Sequence, residues 1–113
     1  MARDDYHVIV YQILAYLYVQ LKNGDDVDPA CLKYDSDYLR INKTYWIYII
    51  DNLLQNGLIT GPVVTKTWGQ EKTVSSLERA QITPKGIEYL CDNSFMEKAK
   101  QFLKDVKAIV PFF

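Results

Sequence analysis

The stretch from Asn42 to Val74 reads NKTYWIYIIDNLLQNGLITGPVVTKTWGQEKTV. Its first half has the period of about 3.6 residues typical of an amphipathic helix, with Asn42 as the N-cap and Gly57 as the residue that ends it. After Gly57 the pattern becomes extended and rich in β-branched residues, and it turns back at a polar segment around Gly69. A helix followed directly by a β-hairpin predicts the recognition helix and the wing of a winged-helix fold.

Helices are predicted on both sides of this stretch. Before it, a long helix covers residues 5–22, and a short helix begins at Pro29, a favourable first helical residue. After it, one helix runs from Pro84 to about Cys91, and an amphipathic helix capped by Ser94 covers residues 94–110. The prediction is therefore an α+β, mostly α fold: a winged helix-turn-helix with a β-hairpin wing and added C-terminal helices.

Length and composition indicate one globular domain over residues 1–113. The chain is 49% hydrophobic and 24% charged, which supplies enough apolar material for a core over about residues 5–91. The formal net charge of -1 lacks the basic excess that is usual in dedicated nucleic-acid binders. No apolar run is long enough to span a membrane and no secretory leader is recognised, so we expect a cytoplasmic protein without a membrane partner.

Several segments in the last two-thirds of the chain carry a resemblance to a known family. They are Tyr45-Trp46, Asn52–Ile59, Ile82–Leu90, Asn93–Ala99 and Val106–Pro111. The elements Leu-Leu-x-x-Gly-Leu-Ile and Ile-Thr-x-x-Gly are shared by several winged-helix regulator families, whereas Asn-Ser-x-Met-x-x-Ala is more particular. The pattern is similar to the YjcQ-like family of small winged-helix proteins found in bacteria and their phages. The resemblance implies the fold, and because that family has no established activity it implies no site residue.

One function hypothesis is the binding of double-stranded DNA. The exposed face of the predicted recognition helix carries polar side chains that can contact phosphates or, for the amides, adenine edges: Thr44, Tyr48, Asn52 and Gln55. The basic residues nearest to this face are Arg40, Lys43, Lys66 and Lys72. Asp51 lies in the middle of the same face and Glu71 beside the wing lysine, so this surface has little net positive charge.

The alternative hypothesis is a protein-interaction module that does not bind DNA. The first helix is apolar nearly all round, and such a helix is normally covered on both sides. The apolar face of the last helix carries Phe95, Ala99, Phe102, Val106 and Ile109. We expect this face to cover the first helix, either within one chain or from a second copy in a two-fold homodimer. The residues expected at this contact are Val8, Tyr11, Ala15, Tyr18, Val19, Phe102, Val106 and Ile109.

The residue types do not predict catalysis or a bound cofactor. Cys31 and Cys91 are far apart and the single histidine is His7, so Cys and His alone do not assemble a four-ligand zinc site. The sequence has no glycine-rich phosphate loop, and the acidic segment 25–28 lacks the central glycine and closing glutamate of a calcium loop. We therefore expect a non-enzymatic protein with no cofactor, no metal and no small-molecule substrate.

The preferred interpretation is a phage-type or prophage-type regulator or accessory protein that contacts DNA. The observation that separates it from the interaction module is the arrangement of the basic residues. One continuous patch formed by Arg40, Lys43, Lys66 and Lys72 favours DNA, because lysine and arginine contacts to phosphate supply most non-specific affinity.

Overall fold

The computed structural model describes residues 1–66, 68–69 and 71–106. The described helices are α1 (Tyr6–Asn23), α2 (Pro29–Leu32), α3 (Lys43–Gln55), α4 (Pro84–Asp92) and α5 (Ser94–Asp105). The described strands are β1 (Ile59–Thr60), β2 (Val63–Lys66), β3 (Lys72–Ser75) and β4 (Gln81–Ile82), with a 3₁₀ turn at Leu77–Arg79. Both strand pairs, β1 with β4 and β2 with β3, are antiparallel. The structure confirms the mostly helical α+β class, and the winged-helix assignment within that class stays a prediction.

The ends of α3 follow from local hydrogen bonds that the sequence predicts. Asn42 is the N-cap, and its side-chain oxygen accepts the backbone N–H of Thr44 at 2.8 Å. At the other end, Gly57 has a φ of 71°, and the N–H of Leu58 donates to the carbonyl of Leu53 at 3.0 Å. This is the Schellman arrangement, in which a left-handed glycine lets the chain close the last turn of the helix.

The cap of α5 differs from the prediction by one residue. Asn93, rather than Ser94, is the N-cap, because its Oδ1 accepts the N–H of Phe95 at 2.9 Å. Asn and Ser are both good N-cap residues, so composition alone does not choose between neighbours. The helix α5 ends at Asp105 with Val106 as its C-cap, and residues 107–110 of the predicted extension lie outside the described residues.

The central element of the fold is α1. Ten consecutive residues, 8–17, are buried, which means that the helix is covered on every side over nearly three turns. The one polar residue in this run is Gln12, and its side-chain N–H donates to the backbone carbonyl of Tyr38 at 2.8 Å. A buried amide that finds a partner in this way avoids the cost of leaving a polar group unsatisfied. Elements α4, α5 and β4 pack directly against α1.

The face of α5 that packs on the core is rotated from the predicted one. Met96, Ala99 and Leu103 are almost completely buried, whereas Phe95 and Val106 are 46% and 45% exposed. The prediction placed Phe95, Ala99, Phe102 and Val106 on the packed face. The predicted and the observed buried residues both have helical spacing, so the periodicity of the sequence does not determine which of two neighbouring faces is buried. The shape of the core decides between them.

A compact contact joins the end of α3 to the start of α4. Ile59 of β1 pairs with Ile82 of β4, and the Thr83 hydroxyl donates to the Gly57 carbonyl at 2.6 Å while accepting the N–H of Gly86 at 3.0 Å. Gly86 is buried, and a Cβ at this position would run into the backbone carbonyl of Leu58. We call residues 57–59 together with 82–86 the latch, because they hold the two halves of the chain together.

The hairpin of β2 and β3 projects from this core. Its register runs from Val63 opposite Ser75 to Lys66 opposite Lys72. Val64 and Val74 face each other and pack against the core, while the neighbouring positions along both strands are exposed, as the two-residue period of a strand requires. In the described part of the chain, none of the helices combines the length and the apolar character needed to cross a membrane.

Candidate nucleic-acid interface

A cleft of about 340 Å³ lies between the first turns of α3 and the hairpin. Its lining residues come from both elements: Lys43, Thr44, Ile47, Glu71 and Lys72. The Asn42 cap fixes the start of α3 and thereby places Lys43 and Thr44 at the opening of the cleft. Ile47 is buried and anchors this part of the helix in the core.

The hairpin lysines lie on the same side of the molecule as Lys43. Lys66 and Lys72 are directly opposite each other in the register of β2 and β3. The ammonium Nζ of Lys72 is 3.3 Å from a carboxylate oxygen of Asp51, a residue in the middle of α3. This ion pair therefore spans from the hairpin to the helix and ties the two walls of the cleft to each other.

Arg40 does not join this group of lysines. Its guanidinium is paired at 3.3 Å with Asp37, and it lines a separate cavity that also contains Leu103 of α5. Arg40 also has a φ of 45°, in the left-handed region that residues with a Cβ rarely adopt. The structure thus brings Lys43 and Lys72 to the two walls of the cleft, with Lys66 opposite Lys72 on the hairpin, and places Arg40 at a different cavity.

The amide side chains on the exposed face of α3 differ in what they offer a partner. The side-chain N–H of Asn52 donates to the carbonyl of Tyr48 one turn earlier at 2.7 Å, so this amide is engaged within its own helix. Gln55 is exposed near the end of the helix. Tyr48 is 59% exposed, with its ring 6.4 Å from that of Tyr6. This surface is therefore better suited to contacts with DNA phosphates than to recognition of base edges by two amide side chains.

Trp68 is a residue that the sequence analysis did not single out. It lies in the turn of the hairpin and is fully exposed. The exposure of Trp68 could have been predicted from the sequence, because a two-stranded hairpin has no core at its tip in which a large ring can be buried. Trp68 supplies an exposed, flat aromatic surface in the turn that joins β2 to β3.

The comparison with known families establishes the family of this chain. Residues 11–109 match the family described as YjcQ protein. The chain belongs to the YjcQ family. No curated protein and no solved structure matches it. The resemblance identified from sequence is therefore confirmed, and both segments of the latch belong to the part of the chain that matches the YjcQ profile.

A second surface of this YjcQ chain is rich in aromatic residues. The His7 ring stacks on that of Phe95 with centroids 4.3 Å apart, and the Tyr6 ring meets both His7 and Tyr48 edge-on. Among the described residues, Nδ1 of His7 has no hydrogen-bond partner. We call Tyr6, His7, Tyr48 and Phe95 the aromatic cluster. Sequence analysis missed it because its members come from the starts of α1 and α5 and from the middle of α3.

The face of α1 predicted to contact either α5 or a second copy is largely covered within the chain. Val8, Tyr11 and Ala15 are buried, with α5 and α4 packed against their helix. These three side chains are therefore not surface residues available to a partner. Tyr18, Val19 and Phe102 are half-buried, and Ile109 lies outside the described residues.

Burial also changes the chemistry of one tyrosine on this covered face. It raises the pKa of the Tyr11 hydroxyl to about 12, with smaller contributions from Glu97 and Cys91. The hydroxyl, which is neutral at physiological pH in any ordinary tyrosine, is here still harder to ionise. A neutral, buried tyrosine in the contact between α1 and α5 is consistent with a structural role.

The cysteines offer little support for a reactive site in this YjcQ chain. Burial raises the pKa of the Cys31 thiol, and its sulfur lies 3.9 Å from a carboxylate oxygen of Asp28. Asp28 itself caps α2 by accepting the N–H of Ala30 at 3.0 Å. Within residues 1–66, 68–69 and 71–106, no three His, Cys, Asp or Glu side chains group closely enough to hold a metal ion.

Proposed function

We propose that this YjcQ-family chain is a non-enzymatic cytoplasmic regulator or accessory protein that binds double-stranded DNA. The observation that carries the proposal is the cleft between α3 and the hairpin, where Lys43, Thr44 and Lys72 line one opening. Lysine ammonium and threonine hydroxyl groups are the donors that contact phosphate oxygens. The order of three helices and a hairpin adds support, because winged-helix proteins present these elements to the duplex.

Binding is expected to depend mainly on phosphates. Lys43 and Lys72 line the cleft together with Glu71, Lys66 lies opposite Lys72 on the hairpin, and Asp51 pairs with Lys72. Each phosphate contact contributes about -0.9 to the slope of log affinity against log salt, so two to three lysine contacts give a slope of about -2 to -3. Trp68 is exposed in the turn of the same hairpin, and contact of the hairpin with DNA should shield its ring from solvent.

The experiment is a titration with random-sequence duplex DNA at low and at physiological salt. Lys43→Glu should lower the affinity at low salt at least about tenfold, because it removes one attraction and adds one repulsion. Lys85→Glu is the matched control, since it changes the net charge equally but lies on α4 in a separate cavity. Protection of Trp68 from acrylamide quenching reports contact independently, because the other tryptophan, Trp46, is already buried.

Two results would contradict DNA binding through this cleft. The first is the absence of salt-dependent binding by the unmodified chain at low salt. The second is an equal loss of affinity in Lys43→Glu and Lys85→Glu, which would show that the loss depends on the net charge of the protein and not on the position of Lys43 in the cleft.

The second candidate function is contact with a second copy of the chain, and the aromatic cluster favours it. Phe95 is 46% exposed and Tyr48 59% exposed, and exposed aromatic rings that lie together are typical of protein contact surfaces. Along α5, Phe102 and Val106 continue the apolar line that starts at Phe95. A homodimer through this surface leaves the buried residues of α1 in place.

Sedimentation over a range of protein concentrations tests this second candidate. Phe95→Glu should abolish a dimer, because a buried unpaired carboxylate is strongly unfavourable in an apolar contact. Leu21→Glu is the control, since Leu21 is 47% exposed but lies at the far end of α1 from the aromatic cluster. A chain that remains monomeric at the highest concentration would exclude this candidate.

A further inference from the structure

We propose that Asp51 limits the affinity of the cleft for DNA by holding Lys72 in an internal ion pair that a phosphate has to displace. This inference rests on the proposed DNA-binding function and concerns the regulation of the same site. It makes Asp51 a residue that sets the affinity and salt dependence of binding through its ion pair with Lys72, which lines the cleft.

The geometry of the pair supports a competition between carboxylate and phosphate. Lys72 Nζ lies 3.3 Å from Asp51 Oδ2, within the range of a direct ion pair. The Lys72 side chain is 50% exposed, so an incoming phosphate can reach its ammonium group from solvent. The Asp51 side chain is only 20% exposed, which leaves its carboxylate behind the lysine, at the wall formed by α3.

The two partners also differ in how firmly they are held. Asp51 projects from the middle of α3, a helix anchored in the core by Ile50 and Leu53. Lys72 is the first residue of β3, at the outer end of the hairpin, and carries its charge on a flexible four-carbon stem. When DNA approaches, Lys72 is therefore the group that moves, and Asp51 stays as a fixed negative charge facing the phosphates.

Removal of the Asp51 charge should strengthen binding for two reasons. Lys72 no longer has to leave a carboxylate before it binds phosphate, and the repulsion between Asp51 and the DNA backbone disappears. We expect Asp51→Asn to raise the affinity for random duplex about threefold to tenfold at low salt. The slope of log affinity against log salt should become steeper by about one, because one more lysine neutralises a phosphate.

Asp37→Asn is the matched control for charge. Asp37 pairs with Arg40 at the same distance of 3.3 Å, and this pair lies at a separate cavity. The substitution changes the net charge by the same amount, so a general electrostatic effect would raise both affinities equally. We expect Asp37→Asn to change the affinity less than about twofold, because its pair is highly exposed and away from the cleft.

Lys72→Met completes the experiment as a double-mutant cycle. In the unmodified chain it should cost less than about twofold, because Lys72 is already engaged by Asp51. In the Asp51→Asn chain the same substitution should remove the part of the gain that Lys72 supplies and restore the shallower salt slope. Urea unfolding of the unmodified chain and of every variant, without DNA, confirms that all the proteins compared are folded.

The outcomes separate this inference from the function on which it rests. If the unmodified chain binds with the expected salt dependence but Asp51→Asn binds no better than Asp37→Asn, the competition is overturned and DNA binding stands. If Asp51→Asn binds more weakly, Asp51 orients Lys72 for the phosphate and the inference is likewise overturned. If the unmodified chain and all variants fail to bind at low salt, the proposed function fails and the inference falls with it.

Discussion

The latch and the cleft lie at opposite ends of α3 and are built in different ways. In the latch, Thr83 makes two hydrogen bonds and β1 pairs with β4. Gly86 lies so close to the backbone of Leu58 that a side chain at this position has no room. In the cleft, Lys72 of the hairpin meets Asp51 of the helix in an ion pair between side chains. The latch depends on backbone contacts that admit few residues, whereas the cleft depends on charges that many sequences could supply.

The two segments of the latch lie within two of the stretches that carry the sequence resemblance, residues 52–59 and 82–90. Gly57, Thr83 and Gly86 are each required by a backbone conformation or a close approach, so they form a recognisable pattern along the sequence. Lys43 and Lys72 have no such local requirement. The difference also predicts that substitutions in the latch change stability, while substitutions in the cleft change binding.

The largest expected effect is that of Gly86→Val. The added side chain would overlap the Leu58 carbonyl and push α4 away from β1, so we expect a loss of at least about 4 kcal/mol in the free energy of unfolding. Gly69→Val is the control, since a Cβ there meets nothing within 4 Å, and it should cost less than about 1 kcal/mol. Urea unfolding measures both. Equal costs would show that the latch has no special role in stability.

The next effect tests the rotation of α5. Met96→Ala should cost about 2–4 kcal/mol, because it leaves a cavity at a fully buried site. Phe95→Ala removes a larger side chain but should cost only about 1 kcal/mol, because nearly half of that side chain is already in water. Calorimetric unfolding of the two variants gives the comparison. A larger cost for Phe95→Ala would restore the helix face predicted from sequence.

Local signals predicted the scaffold well. The N-cap Asn42, the stop at Gly57, the hairpin and the Thr83-Pro84 start of α4 all depend on residues close together in sequence, and the structure has each of them. The rotation of α5 was not predictable in this way. Met96 and Phe95 are both apolar, and only the shape of the surface presented by α1 decides which of them is buried.

The candidate site was less predictable than the scaffold. Lys43 and Lys72 were identified as basic residues near one helix, but their shared cleft depends on how the hairpin packs against α3. The ion pair of Lys72 with Asp51 depends on the same packing, as does the separation of Arg40 from the lysines. Sequence gives the charges, whereas tertiary contacts give their pairing.

A smaller effect is expected when the hydrogen bonds of the latch are removed without crowding it. Thr83→Ala leaves the N–H of Gly86 without its cap and the Gly57 carbonyl without its donor, so we expect a cost of about 1 kcal/mol. Thr83→Ser keeps the hydroxyl and should recover most of this stability. Thermal unfolding of the two variants tests the point. If serine fails to recover stability, the methyl group rather than the hydrogen bonds explains the role of Thr83.

The smallest effect on stability is expected in the cleft, for Lys43→Ala. Lys43 is exposed and is the first residue of α3, where a positive charge lies at the positive end of the helix dipole. Its removal should therefore leave the free energy of unfolding within about 0.5 kcal/mol, or raise it slightly. If the affinity for DNA falls in the same variant, Lys43 contributes to binding and does not contribute to stability. A clear loss of stability would instead make Lys43 part of the scaffold, and the contrast between latch and cleft would not hold.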